Sequence, residues 1–156
     1  MANHAARVNS GLAALGDELG SKLSLDDEAA CAFDFADGLT CTVEYLDERD
    51  ALFLWSEILT VGERDRLALF QRALTANANP LQLGGTSIGY DPERAALVLS
   101  FVTPMQGLEA GDVTNTIGAF LLIAAELAKL LGSEPAVHSE RAAPEPFARA
   151  GEIIVG

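Results

Sequence analysis

The chain of 156 residues is 49% hydrophobic and 21% charged, and its ten Lys and Arg against twenty-three Asp and Glu give a formal net charge of −13. The length fits one domain and the apolar share can fill its core, which excludes global disorder. The charge opposes a phosphate backbone and so disfavours nucleic acid, while it favours a cationic or neutral partner and keeps exposed apolar surface soluble.

Over residues 8–19, Val8, Leu12, Leu15 and Leu19 fall at i, i+4, i+7 and i+11, the spacing of one helix face. Gly11, Gly16 and Gly20 lower the propensity of this helix by up to about 1 kcal/mol each relative to Ala, so packing has to hold it. Two period-2 runs then flank Asp37-Gly38, with Cys31, Phe33 and Phe35 before it and Leu39, Cys41 and Val43 after it. They read as a hairpin. A three-residue loop, 36–38 with Gly38 left-handed, sets Phe35 opposite Leu39, Phe33 opposite Cys41 and Cys31 opposite Val43, so the apolar faces agree; a two-residue loop would mix them. In that register the cysteines are diagonal neighbours about 7 Å or more apart, a poor separation for a disulfide, and both are expected as buried free thiols.

Residues 51–56 read as a third strand that is apolar on both faces, Leu52 and Leu54 pointing one way and Phe53 and Trp55 the other. An antiparallel sheet with one wet face has no use for the second row, so either helices cover both faces or a partner covers one. Thr60 and Glu63 have capping-box spacing and open a predicted second helix with Leu67, Phe70 and Leu74 at helical intervals, ending near residues 77–80. Gly84-Gly85 turns the chain into a short strand around 88–90. The turn 91–94 leads into a strand over 95–102 in which Leu97, Leu99 and Phe101 alternate, ended by Pro104.

The third helix, 113–131, has the strongest pattern and is expected to close at Gly132. Its apolar stretch, 117–131, is broken by Glu126 and Lys129 and falls short of the roughly 20 residues that span a bilayer, so it is a core helix. Residues 133–156 carry three prolines and little apolar periodicity, and read as a flexible tail outside a domain of residues 1–132. The expected fold class is α+β, a single antiparallel five-stranded sheet with three helices in the order α-β-β-β-α-β-β-α.

Catalytic patterns do not emerge. The segment Gly84-Gly-Thr-Ser87 lacks the Lys and spacing of a phosphate loop, and Asp26, Asp27 and Glu28 lack the alternation of a calcium loop. Asp34 and Glu44 alternate with apolar residues and serve as the polar face of the hairpin. No CxxC is present, and His4 and His138 lie toward the two ends, so zinc ligands are missing. The expectation is no enzyme, no metal and no cofactor. A basic region followed by an apolar one is not legible at the start, so a cytoplasmic location is expected.

One series of segments carries a family likeness: Leu23-Ser-Leu25 leading into 31–35, the Asp37-Gly38 turn, Leu52-Phe-Leu-Trp55, Phe70-Gln-Arg-Ala-Leu74-Thr-Ala-Asn77, Gly85 with Ile88-Gly-Tyr-Asp91, Leu97-Val-Leu99, and the long apolar helix. In this order, over about residues 8–132, the chain resembles the class I type III secretion chaperones, the family of the chaperones of the translocated intimin receptor and of Yersinia outer proteins. The resemblance implies a bacterial cytoplasmic homodimer that binds the N-terminal segment of a secreted effector and keeps it secretion-competent, with no nucleic acid or membrane as partner. It places a client cleft between the first helix and the hairpin, where Leu12, Leu15, Leu19, Phe33 and Phe35 are the candidates, with Phe53 and Trp55 of the doubly apolar strand as the alternative. The apolar surface that a lone five-stranded sheet leaves over points to a dimer interface on the second helix and the strands after it, with Phe70, Ile88 and Leu99 as candidates. A non-catalytic α+β binding or regulatory domain unrelated to secretion is the competing expectation.

Overall fold

A computed structural model describes residues 3–133, so the tail expected beyond the third helix lies outside the described residues apart from Ser133. The elements are α1 (His4–Leu19), β1 (Ala30–Phe35), β2 (Leu39–Leu46), β3 (Ala51–Thr60), α2 (Arg66–Asn77), β4 (Ser87–Asp91), β5 (Ala96–Pro104) and α3 (Ala110–Gly132). The strands form one sheet in the order β1-β2-β3-β5-β4, antiparallel throughout, as the alternation of the sequence predicts.

The hairpin adopts the predicted register, Phe35 opposite Leu39, Phe33 opposite Cys41 and Cys31 opposite Val43. Its turn holds Asp37 as well as Gly38 at positive φ, 55° and 79°, a conformation that Asp tolerates better than most side chains. Cys31 and Cys41 are both buried and free.

Helices cover one face of the sheet. Leu52 and Leu54 of β3, Leu97 and Leu99 of β5, and Cys41 and Val43 of β2 join a core with Val8, Leu12 and Leu15 of α1 and with Val113, Ile117, Phe120, Ala124 and Leu127 of α3. Fully burying one such aliphatic or aromatic side chain contributes roughly 1.5–3 kcal/mol. α3 is long and apolar enough to cross a membrane by length and composition. Here its inner stripe packs against α1 and β3, while Leu122 and Leu130 point outward.

The glycines of α1 have a packing role. A Cβ on Gly11 would lie 2.7 Å from Val113 Cγ1 and 2.9 Å from the Ala110 carbonyl, so α1 crosses the start of α3 at a distance that only glycine permits. Thr114 Oγ1 donates to the Gly11 carbonyl at 2.9 Å across the same crossing. At the other end of α1, His4 pairs with Asp50 in the turn between β2 and β3, and the Tyr45 hydroxyl also donates to Asp50, at 3.2 Å. The His4 hydrogen bond is the main reason that the Asp50 carboxyl lies below its usual range.

The second helix differs from its sequence reading. Thr60 is the last residue of β3, paired with Ala96, and α2 begins at Arg66. The run Glu57-Ile-Leu-Thr60 prolongs the strand through a register shift between Glu57 and Leu59, a bulge whose extra residue, Ile58, is buried. Strand pairing thus overrides the capping-box pattern. The buried face of α2 is Leu69 and Ala73, whereas Leu67 and Leu74 are 74% and 67% exposed. Gly132 ends α3 as its last helical residue, and Ser133 follows in extended backbone with its N–H on the Lys129 carbonyl.

Candidate functional site

Strand alternation places every second residue of β2, β3 and β5 on the face of the sheet that the core does not use. The pairing lays out two rows there, Glu44–Phe53–Val102 and Thr42–Trp55–Ser100. Phe53, Trp55 and Ser100 are half-buried and Val102 is 55% exposed, and none of the four belongs to the core cluster. Of the two possibilities open from sequence, helices on both faces or a partner on one, the described residues do not show the first: their helices pack on one face only.

Trp55 is held in place on this face. Its indole N–H donates to Glu44 Oε1 at 2.8 Å, and the Arg94 guanidinium lies 5.2 Å from its ring. Arg94 is in turn fixed by Asp91 Oδ2 at 2.6 Å and Glu57 Oε1 at 3.0 Å. The Arg94 hydrogen bond holds the Asp91 carboxyl below its usual range. Asp91 also accepts from the backbone N–H groups of Glu93 and Arg94, so the β4–β5 turn is built to carry this cation over the tryptophan. Beside the ring runs a groove of about 570 Å³ lined by Gly38, Thr40, Thr42, Trp55, Glu57 and residues 58–60. An indole clamped between a carboxylate and a guanidinium loses little freedom when a partner settles on it, a property of good anchor sites.

A second surface lies on the α2 side. Arg66 stacks over Phe70 and Tyr90, 5.6 Å and 5.0 Å from their ring centres, and donates to the Tyr90 hydroxyl. Asn77 binds the Ile88 backbone through both amide atoms, at 2.9 Å to its N–H and 2.7 Å to its carbonyl, and ties the end of α2 to strand β4.

The residues expected at binding surfaces separate by exposure. Leu12, Leu15 and Phe33 are 0%, 4% and 8% exposed and form part of the core under α1 and α3. Leu19 is 45% exposed, and Phe35, Phe53 and Trp55 are half-buried. Of the three residues expected at a dimer interface, Ile88 and Leu99 face the core, at 7% and 0% exposure, and Phe70 keeps surface. Alternation in a sequence defines two faces without saying which one the helices cover, which is why core and surface were mixed in the expectation. The sequence reading missed Arg94, Val102 and Val98, the last of which pairs with Glu57 on the same face. Period-2 alternation through β5, the complement of Leu97, Leu99 and Phe101, was the available signal for the two valines. Among the described residues, no three His, Cys, Asp or Glu side chains are placed to share a metal ion.

The model of one protein family, described as the Tir chaperone protein (CesT) family, matches residues 10–128. No curated protein matches the chain in sequence. Solved structures of similar fold include a chain of the ExsC–ExsE complex, 22% identical over 81% of this chain and 91% of that one, with a TM-score of 0.63. A chain of the heterodimeric ExoU–SpcU complex from the type III secretion system of Pseudomonas aeruginosa is 17% identical over 79% and 93%, with a TM-score of 0.58. YbjN, a putative transcription regulator from E. coli, is 18% identical over 77% and 85%, with a TM-score of 0.51. At these identities the structural likenesses establish the fold alone.

Proposed function

The chain belongs to the Tir chaperone protein (CesT) family, and from that premise we propose that it is a cytoplasmic, non-catalytic bacterial chaperone that binds the N-terminal segment of a type III secreted effector and keeps it secretion-competent. The observation that carries this reading is the uncovered sheet face, where Phe53, Trp55 and Val102 hold apolar surface outside the core. An extended effector segment can lie on that face or pair with a sheet edge, while short apolar stretches use Leu19 and Phe35. The net charge of −13 keeps such a surface soluble and favours cationic segments. The chain acts as a homodimer in this proposal, through the α2–β4 side, where Leu67, Phe70 and Leu74 carry exposed or half-buried apolar surface.

A second reading, a regulatory binding domain unrelated to secretion, draws on the likeness to YbjN. Affinity capture of the tagged full-length chain from secreting cells, followed by mass spectrometry and titration of the captured protein's N-terminal segment, separates the two. The chaperone reading expects a secreted protein whose N-terminal segment alone accounts for the affinity. Capture of non-secreted partners, or affinity lying outside that segment, supports the second.

A further inference from the structure

Strand β2 carries Thr40, Thr42 and Glu44 on the uncovered face, with Thr42 paired to Ala32 of β1 and to Trp55 of β3. A carboxylate stands on each side of Thr42 along this line. On one side Asp34 of β1 lies opposite Thr40, whose hydroxyl donates to Asp34 Oδ1 at 2.7 Å. On the other, Glu44 Oε1 accepts the Trp55 indole N–H at 2.8 Å. Both donors are neutral, and among the described residues neither carboxylate pairs with a cation. Arg94, the cation over the Trp55 ring, is already engaged by Asp91 and Glu57. Between the two carboxylates, Ala32, Thr42 and Ser100 leave a floor of short side chains beside the indole.

Thr40 and Glu44 are four positions apart, about 13 Å along β2 at about 3.3 Å per residue. An extended segment laid on the sheet repeats that rise and turns every second side chain downward, so its residues i, i+2 and i+4 meet Asp34, Trp55 and Glu44 in turn. We infer that the client segment on this face carries two basic residues four positions apart with an apolar residue midway. The cations pair with Asp34 and Glu44, and the apolar side chain rests on Thr42 against the Trp55 ring. This names the chemistry of the client and rests on the proposed function. Charge complementarity sets the pattern. Glu44 is already half-buried, and a neutral segment settling on the face would take its charge further from water with nothing to offset the loss, whereas a cation at that place offsets it.

Trp55 is the single tryptophan of the chain, so its emission reports binding at this face. The full-length protein is titrated with a capped peptide, Thr-Val-Arg-Thr-Leu-Thr-Arg-Val-Thr, and with the same peptide carrying citrulline, uncharged and of similar shape, for both arginines. The arginine peptide should bind about tenfold more tightly, the effect of two partly exposed ion pairs. Moving the arginines to flank the leucine directly turns them away from the sheet and should abolish the preference. So should the variant Asp34→Asn, Glu44→Gln, whose side chains still accept from Thr40 and Trp55 and whose fold is checked by circular dichroism. Equal affinity for the arginine and citrulline peptides overturns the inference. A preference that survives the variant or the moved arginines overturns it too, as does Trp55 emission that millimolar arginine peptide leaves unchanged. None of these outcomes removes the uncovered face as the client surface, which is tested separately by client export with Phe53 and Trp55 replaced.

Discussion

Replacing Gly11 by Ala sets helix propensity against packing in a way whose sign the α1–α3 crossing decides. In an open helix the change stabilises by about 1 kcal/mol. Here the new methyl would meet Val113 Cγ1 at 2.7 Å and the Ala110 carbonyl at 2.9 Å, and the carbonyl belongs to backbone that cannot step aside as a flexible side chain would. Overpacking of this kind costs roughly 1–3 kcal/mol, and parting the helices stretches the hydrogen bond from Thr114 to Gly11, with a loss of about 1 kcal/mol. The net expectation is destabilisation by about 1–3 kcal/mol, a fall in Tm of roughly 3–10 °C for a chain of this size. Gly118→Ala in α3 is the control, because nothing lies within 4 Å of its added methyl; it should stabilise by about 0.5–1 kcal/mol. Thermal and urea unfolding of both variants measure the difference. A Tm that rises in Gly11→Ala as it does in Gly118→Ala would refute the close crossing.

Burial, with Cys31 adding to it, pushes the Cys41 thiol up to about 12, against about 8.5 for a free thiol. The folded state thus holds this proton more tightly, and the stability it confers is complete below about pH 8.5 and is lost as pH rises toward 12, at up to about 1.4 kcal/mol per pH unit; urea unfolding between pH 8 and 11 should show a flatter decline in Cys41→Ala, and parallel declines would contradict the assignment. Asn77→Ala removes both hydrogen bonds to the Ile88 backbone and should cost about 1–3 kcal/mol, with faster amide exchange in β4; unchanged exchange there would show that the strand does not depend on Asn77. Phe53→Ser, on the uncovered face, should shift stability by less than about 1 kcal/mol, whereas Phe33→Ser in the core should cost more than about 3 kcal/mol. Similar losses in the two variants would mean that Phe53 is buried in the working assembly.

The order of elements and the hairpin register were legible because alternation and the Asp37-Gly38 turn leave one arrangement in which Cys31, Phe33, Cys41 and Val43 share a face. The doubled apolar character of β3 was legible too, and it pointed to the uncovered Phe53 and Trp55. What the sequence did not carry was the depth of each residue. Leu12 and Leu19 lie on one helical stripe, yet the first is fully buried in the core and the second is 45% exposed. The start of α2 was hidden because the residues from Glu57 to Thr60 suit a strand and a helix start equally, and only pairing with β5 through the bulge decides between them. Arg94 is far from Trp55 in sequence and reaches it by the folding of the β4–β5 turn.

The central claim is that the uncovered sheet face serves an effector client. The most direct test is the amount of captured client exported by secreting cells that lack this gene and are complemented either with the wild-type chain or with a Phe53→Asp, Trp55→Asp variant shown to fold. The account predicts that export is lost without the gene, restored by the wild-type chain and not restored by the variant. Export that persists without the gene, or that the variant restores in full, would contradict it.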